Sequence, residues 1–159
     1  GIAPRTLADV ASARALHHDF TNGLLVSYGC DVPVRAPREA AVVLARIAAE
    51  SDFCGFEYFL TDAAGHAQDA DAVRTHVARL DAFLDALLDE VDLTRNTVVV
   101  TSDHGNVEDL STSHHTLNAV ATMAWGRGAA ELCAGVASLV DIAGGISACV
   151  TQCRSRTPA

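Results

Sequence analysis

Lysine is missing from this 159-residue chain, so all eleven basic side chains other than histidine are arginine. Twenty acidic residues leave a formal net charge of −9. Such a surface grips nucleic-acid phosphates poorly, and nucleic acid is not expected as a partner. Bound cations are expected to neutralise part of the acidity. No apolar run reaches the ~18 residues that a membrane span needs, and no signal peptide is visible. No membrane partner is expected. The five cysteines (Cys30, Cys54, Cys133, Cys149, Cys153) form no C-x-x-C pair. Their odd count and scattered spacing fit reduced, buried thiols in a cytoplasmic protein better than a disulfide framework. Internal repeats and low-complexity tracts are missing too. The chain starts at Gly1 without an initiating Met, which points to a processed or truncated chain.

What is present is a globular composition. Half the residues are apolar and 19% are charged, which argues against disorder. The length can build a core, with residues 1–152 as one α/β domain and 153–159 as a tail. The pattern predicts helices over Arg5–Leu16 (Thr6 as N-cap), Pro37–Glu50 (Pro37 in the first position), Asp69–Val91 and Leu139–Val150. Strands are expected at Phe53–Leu60, Thr97–Ser102 and Ala119–Trp125. Leu24–Tyr28 fits a strand or one helical turn, and Gly29–Pro37 and Thr61–His66 read as loops. Strand, long helix and strand joined by short connections form a βαβ unit, which implies parallel strands and a right-handed crossover. The expected architecture is therefore α/β, a mostly parallel sheet flanked by helices. Ligands bind beyond the carboxyl ends of such strands.

The chemistry-bearing residues gather at those ends. The run Val98-Val99-Val100-Thr101 delivers Asp103, His104 and Gly105 to the end of a strand expected to be buried. His115 follows His104 by eleven residues, inside the pair His114-His115. Asp62 and His66 lie four apart after the preceding strand. Either pair alone is ordinary, but five such side chains at one sheet edge would be poorly satisfied without a cation. Mixed carboxylate and imidazole ligands suit manganese or zinc. Two divalent cations about 4 Å apart support hydrolysis or transfer at phosphorus. A serine-hydrolase reading of Ser102, Asp103 and His104 fails, because adjacent residues cannot orient one another as a triad and no G-x-S-x-G elbow exists.

TSDHGNVED followed by HTLNAVA, with TDAAGH upstream, resembles the alkaline phosphatase superfamily, in particular the cofactor-independent phosphoglycerate mutase branch. The likeness runs from about Phe53 to about Ile146, and SLVDIAGGI from Ser138 is similar to that branch's closing helix. Ala119 and Ala121 stand where that branch usually has prolines. The resemblance implies an alkaline-phosphatase-like fold, here incomplete at its N-terminus. It also implies one cation on Asp62, His66 and His115, a second on Asp103 and His104, and a phosphorylated small-molecule substrate. The nucleophilic Ser or Thr of that family, and a further Asp on the second cation, come from an N-terminal segment not recognisable here. Thr21 and Ser27 sit in no activated context, and His17, His18 and Asp19 read as a solvated loop. An N-terminal partner segment or chain would complete the centre; otherwise the chain is a non-catalytic metal-binding fragment or subunit.

Overall fold

The computed structural model describes residues 4–155, with side chains described through Thr151. The chain divides into two compact units, Gly1–Glu90 with Asn106–His114 and Val91–Gly105 with His115–Ala159. It is a mixed α/β protein with seven α-helices and a two-stranded sheet among the described residues.

In the first unit, α1 (Leu7–Ala11) starts at Thr6 as the sequence predicts. The Asp9 carboxylate accepts from the Thr6 backbone N–H at 2.8 Å, completing a capping box. This helix stops well short of Leu16, because Ala13 adopts a left-handed φ of 58°. Arg14 then turns back onto the Asp9 carboxylate at 2.9 Å. The ambiguous Leu24–Tyr28 piece is helical, within α2 (Gly23–Ser27), and enters from Asn22 in the left-handed region. Asn22 donates its side-chain N–H to the Pro33 carbonyl at 2.8 Å. Next come α3 (Pro37–Ala48), α4 (Leu60–His66) and α5 (Ala70–Glu90). The Asp69 carboxylate starts α5 by accepting from Asp71 and Ala72 at 3.0 and 2.9 Å.

Helices α3 and α4 both pack on α5. Around Phe83 of α5 lies an aromatic core: Phe20, 0% exposed, stacks on it at 4.4 Å, and Phe56 lies at 5.9 Å. Burial of such rings contributes about 1.5–3 kcal/mol each. A smaller cluster of Val10, Ala15 and Val32 takes in Cys30 and Leu25, which is the packing role expected for a cysteine.

Two expectations change here. Phe53–Leu60 forms no strand, although Cys54, Phe56 and Tyr58 turn inward while Phe53, Gly55, Glu57 and Phe59 stay exposed. The segment keeps a strand's alternation, but it spends its aromatics on helix α5 and Phe20 instead of on a ladder. Thr61–His66 is not a loop; it is most of α4, continued by bonds such as Ala67 N–H to Ala63 O at 3.1 Å.

In the second unit, β1 (Thr97–Val100) pairs antiparallel with β2 (Met123–Gly126), placing Val98 opposite Trp125. The parallel βαβ pairing is thereby replaced, and β1 is half-buried along its length instead of buried. Gly126 explains the register. It has φ 88°, and a methyl there would overlap the Asn96 carbonyl. Arg127 N–H donates to that same carbonyl at 3.0 Å. Beyond Gly128 runs α6 (Ala129–Gly135), a helix the pattern did not announce. A 3-10 turn over Leu139–Asp141, held by Asp141 accepting from Ser138 N–H at 2.9 Å, leads into α7 (Ile142–Ser155). As expected, Gly144-Gly145 does not break that helix. The 153–159 tail begins inside α7, and residues 156–159 lie outside the described residues.

Candidate metal centre

Within the first unit, one turn of α4 puts Asp62 and His66 on the same face, with Nε2 of His66 3.3 Å from Oδ1 of Asp62. The other ring nitrogen of His66 lies 2.7 Å from the Ser113 carbonyl. A carbonyl only accepts, so Nδ1 carries the proton, and in the neutral ring Nε2 turns its lone pair toward the carboxylate. A cation placed between that nitrogen and the carboxylate would be held by both. Anchoring the far nitrogen on a backbone carbonyl is the arrangement found behind metal-ligating histidines. By this geometry and donor chemistry the pair fits a divalent cation.

The segment Asn106–His114 is laid along α4 and held there. Asn106 Nδ2 donates to Asp62 Oδ1 at 3.2 Å, and Gln68 Nε2 donates to the Leu110 carbonyl at 3.0 Å. Asn106 is itself tied by its backbone N–H to the Glu108 carboxylate at 2.6 Å. Neither Asn106 nor Gly65 stood out in the sequence as a site residue. The available signal was their place inside the two motifs, D-H-G-N and A-G-H. His114 is exposed, and its backbone N–H bonds Thr112 Oγ1 at 3.1 Å.

In the second unit, β1 runs out into Asp103 and His104, whose Oδ1 and Nε2 lie 3.4 Å apart. The bridge between Gly105 and Thr116, closed by Thr116 N–H on the Gly105 carbonyl at 2.9 Å, folds the later histidines back. The His115 ring then stacks on His104 at 3.5 Å and 14°. This bridge is the physical content of the eleven-residue spacing. Alongside Asp103 and His104 opens a cleft of about 510 Å³, walled by Thr116, Asn118, Val120 and Val136.

The hydroxyls considered as nucleophiles have local partners. Ser102 Oγ donates to the His104 carbonyl at 2.8 Å, and Ser27 Oγ donates to the Leu24 carbonyl at 2.7 Å. Thr21 Oγ1 donates to Asp19 at 2.6 Å. Asp19 itself is 3% exposed, which corrects the solvated-loop reading of His17, His18 and Asp19. Burial works to raise its carboxyl, but hydrogen bonds from Thr21 and Leu24 outweigh burial and the net shift is downward. Burial likewise lowers His18, whose ring lies 5.2 Å from that of Phe59. Cys30, Cys54 and Cys133 are free thiols, with Cys133 exposed and the Cys54 thiol pushed up by burial. The Cys153 side chain lies outside the described residues. Among the described residues no helix is long and apolar enough to cross a membrane.

The family profile of the metalloenzyme superfamily matches residues 27–150, most of the chain. The chain belongs to the metalloenzyme superfamily. No curated protein and no solved structure matches it.

Proposed function

We propose that this chain carries the larger part of a two-cation centre for phosphoryl hydrolysis or transfer on a phosphorylated small molecule. The observation that carries this reading is the His66 ring, tied to Ser113 on one side and set against the Asp62 carboxylate on the other. In the proposal Asp62, His66 and His115 hold one cation and Asp103 and His104 the other, with manganese or zinc as the metals. The motif spacing and the superfamily membership support that division. When bound, such cations polarise phosphoryl oxygens, activate the attacking group and steady the leaving oxygen. The chain's own part is to orient imidazoles through backbone carbonyls and to offer the cleft beside Asp103 and His104 to the substrate.

The phosphoglycerate-mutase-like branch, residues 1–152 as part of one catalytic domain, and cytoplasmic placement belong to the same proposal. So does the mostly parallel, alkaline-phosphatase-like sheet, supported by the superfamily membership. Because Thr21, Ser27 and Ser102 are engaged locally, the nucleophile is assigned to a partner segment or chain.

Elemental analysis of purified chain should find bound Mn or Zn, reduced in Asp62→Ala and His66→Ala. Unchanged stoichiometry in both variants would sink the metal assignment. The engaged hydroxyls favour a second reading, a metal-binding subunit without activity of its own. With Mn or Zn added, the chain alone should leave a generic aryl phosphate intact. Robust turnover would place the nucleophile within it after all.

A further inference from the structure

Asn106 is 7% exposed, donates an Nδ2 hydrogen to Asp62, and leaves its own Oδ1 buried with no hydrogen-bond partner. A buried amide oxygen without a partner costs stability, so packing alone does not account for this residue. The oxygen lies against Gly65. A methyl at position 65 would overlap it and stand 3.1 Å from Nδ2. Gly65 is not among the residues of positive φ, so backbone conformation does not call for glycine there. Glycine within a helix is itself weakening. Two costs therefore meet at one point, on the turn that carries both Asp62 and His66.

We propose that Asn106 is a positioning residue for Asp62 and that Gly65 is the seat that admits its amide. The proposal rests on reading Asp62 as a cation ligand. An N–H on Oδ1 restrains the carboxylate's rotation about Cβ–Cγ. Being neutral, the amide leaves the negative charge of Asp62 available to a cation, whereas a cationic side chain there would compete with it. The fastening of Asn106 to Glu108 at 2.6 Å keeps the donor in place.

Calorimetric titration with Zn or Mn, paired with melting of the metal-free chain, tests this on N106A, G65A, the double variant and D62A. N106A should lower cation affinity by about 10–100-fold, as losses behind a ligand generally do. Its metal-free melting temperature should stay near that of the wild type, because the orphaned oxygen leaves with the amide. G65A should weaken binding as well, and the double variant should be no weaker than N106A, since both changes act through one contact. Unchanged affinity in N106A, losses that multiply in the double variant, or a metal-free melting point that falls in step with affinity each overturns the positioning role. D62A separates the two levels. If D62A binds like the wild type, the ligand reading itself has failed. If D62A is weakened while N106A is intact, only the positioning role is lost.

Discussion

Two acidic side chains show how local partners set what a carboxylate does in this protein. Asp62 accepts an uncharged amide N–H from Asn106 and faces the His66 imidazole. Asp9, in the capping box of α1, spends its charge locally: hydrogen bonds from the Thr6 side chain and backbone, then from Arg14, hold its carboxyl at about 2, against an ordinary 3.8. A depressed folded-state value means that the contribution to stability is complete above the unfolded value and is lost as pH falls through about 2. Asp9 should therefore remain ionised at about pH 3 in a carboxyl-carbon NMR titration. Thr6→Ala should move its midpoint back up, and an unmoved midpoint would show that the cap is not the cause.

At the scale of elements, the informative contrast is between two glycines of the second unit. Gly126 ends β2 at φ 88°, where an added methyl would overlap the Asn96 carbonyl and stand 3.0 Å from that of Leu93. Gly126→Ala should cost about 1–3 kcal/mol, through left-handed backbone and overlap together. Gly135, at the end of α6, has open space around it, and Gly135→Ala should be neutral or stabilising by up to about 1 kcal/mol. Trp125 is the chain's single tryptophan and sits on β2 opposite Val98, so its fluorescence during denaturation reads both variants in the sheet itself. Equal midpoints for the two would mean that the strand end is not set by Gly126.

For the whole molecule, the net charge of −9 sets the background against which cations bind. A ligand that binds the folded chain alone stabilises it by about 2.7 kcal/mol at a hundredfold excess over its dissociation constant. Mn should accordingly raise the melting temperature, chelator should reverse the rise, and D62A should blunt it. Mn is the sharper probe here, because zinc also binds unfolded thiols, which offsets its effect. A melting curve indifferent to both metal and chelator would contradict the centre as drawn.

The sequence by itself determined the α/β class, the helices with clear caps or stripes (α3, α5, α7), and which residues are candidate ligands. These follow from short-range chemistry: Pro37 at a helix start, the apolar stripe of α5, Asp and His within two compact motifs. Only the tertiary structure decided the rest. Phe53–Leu60 has strand composition, yet strand formation depends on a neighbour to bond, and its aromatics found Phe20 and Phe83. Whether β1 pairs parallel or antiparallel is likewise a property of the partner, here β2, and not of the run Val98–Val100. The roles of Asn106 and Ser113 around Asp62 and His66 arise from contacts 44 and 47 residues apart, beyond the reach of any local pattern.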